Sequence, residues 1–412
     1  MFRLLNVSGS MVKHSIAGIF KDKKEDIREK LNHQGGVFSK LAQLMTLDDS
    51  ESTVFEATKP LNPGKTQEAV MELKHDTQTW LNVEEKASWY GSVGQVHRGV
   101  LLDMPKDMDL EYANAEDIPL YVVVKFRYHG LSKVVEQDLK ILRKTVKVYA
   151  KENEKYKQVL MDVEETLKNE QNFLREMDNT NQVYEVFKDD PCIVIPRAFK
   201  VVEKPNTSVL ILEQIMGTRL SAWLKQPNVS QMHKNVIGKL IVKFVYTLLN
   251  QHNIVYTDAH WTNFLVVEDE RKEKVSLAVV DFGSLSYLPS NFATYRRKMD
   301  KSLVEGDYKT FKQLCITLDL FSPSVEEEHF QNIYEYMRCQ TEPMRCKVYH
   351  YDESHKTSCM NIPFASVKQM NLRSHLYSMV RLGHSINTML TSLNCELMYQ
   401  RLYFDLDEDS SA

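Results

Sequence analysis

The sequence predicts an α+β fold in two lobes, strand-rich first and helix-rich after, joined by a linker strand. Three observations predict it. Two β-branched or apolar runs, 121–126 (YVVVKF) and 208–213 (SVLILE), lie in the first half, with a glycine-punctuated turn ahead of them. From Gln231 the residues Val236, Leu240, Phe244 and Leu248 recur at helical spacing. Beyond Leu288 the chain is mainly helical in pattern. At 412 residues, one large two-lobed unit with extra helices fits as well as two separate domains.

Taken in order, residues 21–30 (KDKKEDIREK) form a highly charged helical face. Val37, Phe38, Leu41, Leu44 and Met45 follow at the i, i+3, i+4 spacing of a helix that packs on something. Residues 48–64 read as loop, with Pro60 and Pro63. Gly64-Lys65-Thr66 looks like the end of a P-loop, but that motif needs a glycine where Lys59 stands, so the P-loop reading fails. Residues 131–179 contain no proline and are predicted as helix. The strand at 208–213 is closed by Gly217, and two short apolar strands, 264–267 and 276–280, surround a charged turn. No internal repeat or low-complexity tract interrupts this order.

Composition bounds the function. A 43% hydrophobic and 26% charged chain has the makings of a large core. The net charge of −4, with both signs spread throughout, argues against nucleic-acid binding driven by phosphate neutralisation. No apolar run approaches the roughly 18–20 residues that span a bilayer; the best, 236–249, is broken by Lys239 and Lys243. The N-terminus is a poor secretory signal and a faint transit-peptide candidate, so the expectation is a soluble intracellular protein, cytoplasmic by default. Six cysteines (Cys192, Cys315, Cys339, Cys346, Cys359 and Cys395) form no Cys-x-x-Cys pair and are expected as reduced thiols. Cys339, Cys346, His350, His355 and Cys359 could ligate zinc, but their spacing is looser than the tight pairs of structural zinc sites. A surface loop beside a helix is the preferred reading.

The chemistry-bearing residues lie in a definite order. Asp258 and Asn263 are five apart, after a helix ending in Gln251-His252-Asn253, and Asp281-Phe282-Gly283 follows 18 residues later at the end of an apolar strand. Phosphoryl transfer needs positioning, a metal to neutralise polyphosphate charge and an acceptor for the incoming hydroxyl's proton. Asp258 suits the base, and Asn263 with Asp281 supplies the hard oxygens that Mg²⁺ prefers. Each element alone is a weak signal; both in this order, each beside a short strand, are strong. Upstream, Lys125 ends the YVVVK strand where a lysine for the α/β phosphates belongs, and Glu176 is the helical carboxylate to hold it. Gly91-Ser92-Val93-Gly94-Gln95-Val96 is a turn whose glycines admit a close backbone approach to phosphates, with Val96 to cover the base.

These residues resemble the UbiB/aarF-domain-containing (ADCK) atypical kinase-like family over roughly residues 35–400. Ser92-Val93-Gly94-Gln95-Val96-His97-Arg98 is similar to its SxGQVHRA segment, and Val123-Val124-Lys125-Phe126-Arg127-Tyr128-His129-Gly130 to its VAVKVQYPG strand. Glu170-x-Asn172-Phe173-x-Arg175-Glu176 resembles ExDYxxE, Asp258-Ala259-His260-Trp261-Thr262-Asn263 resembles DPHPGN, and Tyr295-Arg296-Arg297 through Gly306-Asp307-Tyr308 resembles a later helical region. Lys40-Leu41-Ala42-Gln43 stands where the family has KxGQ, on an N-terminal extension folded over the nucleotide site. The resemblance implies a two-lobed protein-kinase-like fold with an N-terminal helical extension and a helix-rich C-terminal lobe. It also implies ATP and Mg²⁺ as cofactors, an ATPase or phosphotransferase activity on an unknown acceptor, and a link to isoprenoid quinones or lipids. It implies further that Lys40, Gln43, Glu170, Gly91, Ser92, Gly94, Val96, Lys125 and Glu213 line the cofactor site, with a Lys40–Glu170 contact as a gate. A mitochondrial location would follow from family habit alone.

The departures are specific. KxGQ has become KLAQ, the ExD aspartate is Asn172, the alanine-rich loop reads Trp89-Tyr90-Gly91-Ser92, and Ala259 and Thr262 replace Pro and Gly of DPHPGN. They bear on regulation and substrate, and none removes Lys125, Glu176, Asp258, Asn263 or Asp281. A nucleotide-binding pseudokinase scaffold and a small-molecule kinase of aminoglycoside or choline type stay open as alternatives. The predicted organisation is a charged helical segment at 1–34, the KxGQ-like extension at 35–88, an N-lobe at 89–216, a C-lobe at 217–404 and an acidic tail at 405–412.

Overall fold

The computed structural model describes residues 63–404 apart from 92, 104–119, 150–163, 165–167, 170, 206, 270, 272–273, 353–365 and 367–373. Two compact units divide the chain: Met1–Gln182 with Pro196–Gln214, and Val183–Ile195 with Ile215–Ala412. In chain order the first elements are helix α1 (Pro63–Thr77) and strands β1 (Leu81–Val83), β2 (Trp89–Tyr90), β3 (Gly94–Leu101) and β4 (Leu120–Arg127). Helices α2 (Leu131–Tyr149) and α3 (Phe173–Phe187) come next, then β5 (Ile193–Val194), β6 (Ala198–Lys204) and β7 (Thr207–Glu213).

The first unit is built on an antiparallel sheet in the order β1-β3-β4-β7-β6, with β2 hairpinned onto β3. Its two faces follow from the period of two along a strand. On β4, Val122, Val124 and Phe126 are buried in one cluster with Val70 and Leu73 of α1. The opposite face carries Lys125, and beside it Leu210 and Leu212 of β7 pack with Phe173 of α3. Gly64-Lys65-Thr66 sits in the first turn of α1 with Thr66 buried and its Oγ1 accepting from the His129 N–H at 3.4 Å, so this triplet is a packed helix start.

One prediction is corrected here. The proline-free stretch 131–179 is not a single helix: the chain turns at Gln171-Asn172 and helix restarts at Phe173. Asn172 causes the restart. Its Oδ1 accepts the Arg175 N–H at 3.1 Å and its carbonyl accepts the Glu176 N–H at 3.0 Å, the arrangement of an N-cap.

The second unit is helical around a four-stranded sheet, β5-β11-β10-β8, with β8 (Thr218–Arg219), β10 (Phe264–Asp269) and β11 (Lys274–Val279). The short helix α4 (Leu220–Trp223) leads to α5 (Gln231–Gln251), whose Ile237, Ile241, Phe244, Val245 and Leu248 are buried in the main core. β9 (Ile254–Tyr256) pairs antiparallel with β12 (Leu285–Tyr287). Beyond Leu288 lie α6 (Phe292–Glu305), α7 (Tyr308–Thr317), α8 (Glu327–Gln340), α9 (Ser374–Leu393) and α10 (Tyr399–Phe404). Among the described residues that helical pattern is interrupted by a short strand pair, β13 (Tyr349–His350) with β14 (Glu396–Leu397). Gly306, at φ 81°, ends α6 in the left-handed region, and Asp307 caps α7 by accepting the Thr310 N–H at 3.0 Å.

The cysteine expectation is corrected at one position. Cys192, Cys315, Cys346 and Cys395 are free thiols, but Cys339 is disulfide-bonded. Cysteine spacing carries no information on which Cβ atoms meet in space, and a disulfide is decided by that separation. Among the described residues no helix is long and apolar enough to cross a membrane.

Candidate functional site

In the first unit, Lys125 and Glu176 are brought together although 51 residues separate them: Nζ donates to Oε1 at 2.7 Å. β4 presents Lys125 between Val96 of β3 and Leu210 of β7, and the first turn of α3 presents Glu176. The Phe173 ring lies 5.6 Å from the Lys125 Nζ, adding a cation–π contact. Side-chain exposures of 15% and 2% make this a buried ion pair, in which loss of either partner strands a charge.

The glycine turn separates into two roles. Gly94 opens β3, and a Cβ on it would lie 2.1 Å from the Phe126 carbonyl oxygen, so strand pairing itself demands glycine there. Gly91 closes the turn by donating its N–H to the Gly94 carbonyl at 2.8 Å, and a Cβ on it would meet that oxygen at an ordinary 3.6 Å. Among the described residues no atom explains Gly91. Val96 is half-buried and directly opposite Lys125. Glu213, at the end of β7, spends its carboxylate on Arg197, accepting from Nε at 3.0 Å, from the backbone N–H at 3.2 Å and from Nη2 at 3.3 Å.

The second unit assembles the other predicted residues. Asn253 ends α5 at φ 55°, a left-handed conformation that asparagine tolerates, and turns the chain into β9. Beyond β9, Thr257 Oγ1 donates to the Ser284 carbonyl at 2.8 Å and Tyr256 OH donates to the Asp281 carbonyl at 2.9 Å. These bonds hold the Asp258 loop and the Asp281 loop side by side. Asn263 Nδ2 donates to the Asp258 carbonyl at 3.0 Å and to Oδ2 at 3.2 Å, so the two residues five apart form one unit. Phe282 is fully buried against Tyr256 and Phe244 and anchors its neighbour Asp281, whose Oδ1 accepts the Gly283 N–H at 3.0 Å. Ala259, one of the departures in the DPHPGN-like segment, and Trp261 of the same segment are core residues at 6% and 7% exposure.

The donor set suits a hard cation. Asn263 and Asp281 offer amide and carboxylate oxygens, and Mg²⁺ characteristically takes one or two protein oxygens and completes its shell with phosphate and water. Among the described residues no group of three or more His, Cys, Asp or Glu could hold a metal ion by itself. Lys40, Gln43, Ser92 and Glu170 lie outside the described residues, as do His355 and Cys359. Sequence reading overlooked two contributors, Asn172 as the cap of α3 and Arg127, whose Nη1 donates to the Gln171 carbonyl at 2.7 Å. Period two along β4 could have flagged Arg127, since it shares the Lys125 face.

Comparison with known proteins gives a consistent answer. Residues 65–315 match the model of the ABC1 atypical kinase-like domain. The chain is 26% identical over 280 residues to the atypical kinase COQ8, mitochondrial, of Schizosaccharomyces pombe, covering 63% of this chain and 41% of that protein. Against the probable protein kinase UbiB of Marinobacter nauticus it is 23% identical over 335 residues, covering 78% and 54%. It therefore spans about half the length of these curated relatives. A solved structure, the Rv3197–erythromycin complex from Mycobacterium tuberculosis, superposes with a TM-score of 0.63 at 17% identity, covering 98% of this chain and 94% of that one. Fold and sequence agree: the chain belongs to the ABC1 atypical kinase-like domain family.

Proposed function

We propose that this protein binds Mg-ATP and passes its terminal phosphoryl group to water or to a hydroxyl acceptor. The observation that carries the reading is the buried Lys125–Glu176 ion pair, whose 2.7 Å contact holds a cation on a strand beside a glycine turn. In this reading Glu176 fixes the Lys125 ammonium, which contacts the α/β phosphates. Gly91 leaves its backbone open to the phosphates, and Val96 covers the base. Glu213 contributes through the main chain at the end of β7, because its carboxylate is held by Arg197.

Asp258 is the acceptor for the attacking hydroxyl's proton, and Asn263 orients it through the Nδ2 hydrogen bonds. Asn263 and Asp281 would hold the metal, which when bound neutralises charge on the phosphate oxygens. Phe282, fixed in the core, keeps Asp281 at its station.

The test uses purified protein, [γ-³²P]ATP and Mg²⁺, with Asp281→Asn as the comparison. We expect phosphate release or a labelled product from the wild type, reduced about 100-fold or more in the variant, as for removal of a strong electrostatic contact. Equal turnover in both would sink the reading. Mg-ATP should also raise the melting temperature, since a ligand at about 100 times its Kd adds about 2.7 kcal/mol of stability. Stabilisation without any turnover would instead identify a nucleotide-binding scaffold.

A further inference from the structure

We propose that Arg127 is a positioning residue that clamps the entry of α3, so that Glu176 stays on Lys125. The proposal rests on the reading of Lys125 as the phosphate-contacting lysine. Lys125 and Arg127 are two apart on β4 and project from the same face of the sheet. Both reach the same short piece of chain. Lys125 takes the Glu176 carboxylate at 2.7 Å, and Arg127 Nη1 takes the Gln171 carbonyl at 2.7 Å.

Gln171 immediately precedes the cap residue Asn172, and it is 8% exposed. Its carbonyl lies outside the helix, beyond the intrahelical bonds, and a charged donor satisfies it strongly. Arg127 is pinned at its other side, because its own carbonyl accepts the Thr207 hydroxyl of β7. The result is a chain of fixed contacts from β7 to Arg127, to Gln171, to the Asn172 cap and to the first turn of α3.

Such a clamp has a mechanical purpose. A helix held by one side-chain ion pair can pivot about it. A second anchor at the entry, five residues before Glu176, removes that freedom. Phe173, which lies between the two anchored residues in sequence, places its ring 5.6 Å from the Lys125 Nζ. The same helix-entry contacts would have to break for Glu176 to swing away from Lys125.

The experiment compares the full chain carrying Arg127→Met or Arg127→Lys with the wild type, by two readouts. Amide hydrogen exchange across residues 171–180, without nucleotide, reads the clamp. ATP turnover, with kcat and KM separated, reads its purpose. We expect Arg127→Met to speed exchange at 173–177 by about tenfold, the loss of one charged hydrogen bond. We expect kcat to fall about tenfold with KM moving less than about threefold. Arg127→Lys, which keeps a donor, should restore most of both. Unchanged exchange in Arg127→Met would overturn the clamp whatever ATP does. Faster exchange with wild-type kcat would overturn its link to Lys125. A wild type that turns over no ATP would sink the phosphoryl-transfer reading, and the exchange arm would still decide whether Arg127 holds the helix. Should Arg127→Met fail to fold, Arg127→Gln carries the same readouts.

Discussion

Gly91 and Gly94 are three residues apart in one turn and answer different demands. At Gly94 a methyl group would collide with the Phe126 carbonyl at 2.1 Å, so Gly94→Ala must push β3 off β4. The expected cost is about 1–3 kcal/mol, the range for overpacking, read from the urea midpoint. At Gly91 the nearest atom to a new Cβ among the described residues is 3.6 Å away. Gly91→Ala should therefore change stability by less than about 0.5 kcal/mol and yet, on the proposed reading, weaken Mg-ATP binding, because the methyl group would enter the space proposed for phosphate. A stable Gly91→Ala protein with wild-type affinity would remove Gly91 from the nucleotide site. Asn172 makes a similar point about residue type. The loss of the ExD aspartate's charge leaves the capping hydrogen bond intact, since asparagine caps as well as aspartate does.

Helices α6 and α10 are joined by a polar contact buried in an apolar setting. Arg296 Nη1 lies 3.1 Å from Asp300 Oδ2, Arg296 Nη2 donates to Asn250 of α5 at 2.9 Å, and Tyr403 of α10 donates to the same Asp300 carboxylate. Burial pushes the Asp300 carboxyl above its usual range, while Arg296 and Tyr403 pull it back. Removing the guanidinium alone leaves a carboxylate stranded among tyrosines. We expect Arg296→Met to cost about 3–5 kcal/mol in a urea titration, and Arg296→Met combined with Asp300→Leu to recover most of it. A single variant as stable as the wild type would show that the ion pair carries no stability. The Tyr295-Arg296-Arg297 segment, noted in sequence only as a resemblance, thus acquires a structural reason.

Across the whole chain, acid sensitivity should begin with buried histidine. Burial holds the His97 imidazole below its ordinary 6.5, outweighing the Glu84 carbonyl that favours protonation. Nδ1 lies 2.8 Å from that carbonyl and Nε2 lies 2.8 Å from Gln95 Nε2, which fits a neutral ring donating from Nδ1 and accepting at Nε2. Burial also lowers His252. As pH falls below 6.5, the unfolded chain takes up protons that the folded chain refuses, so stability declines until the folded-state pKa is reached. The contribution should be full only above the unfolded value of 6.5, and the melting temperature at pH 5.5 should lie below that at pH 7.5. His97→Gln should shrink the difference; an identical pH profile in that variant would show that His97 is not responsible. Exposed carboxylates such as Glu85, lowered by the Lys74 hydrogen bond, add their own loss only below about 4.5.

Much of this architecture was legible in the residues themselves. Period two marks β4 and β7, period 3.6 marks α5, and the order of Lys125, Asp258, Asn263 and Asp281 points to phosphoryl chemistry from sequence alone. Those features are local, set by side-chain alternation and by which atoms can bind phosphate or metal. The restart of helix at Phe173, the disulfide at Cys339 and the capture of Glu213 by Arg197 were not legible. Each depends on which distant atoms meet, and spacing along the chain does not encode that. The same holds at the site opened by Lys125. Sequence determined that Lys125, Glu176 and the residues proposed as base and metal ligands, Asp258, Asn263 and Asp281, were present in kinase-like order. Only the tertiary structure decided that Glu176 reaches Lys125 at 2.7 Å, that Gly94 serves the sheet while Gly91 stays unexplained by it, and that Arg127 grips the helix entry. Strand pairing and helix docking set those distances, and they are properties of the folded chain as a whole.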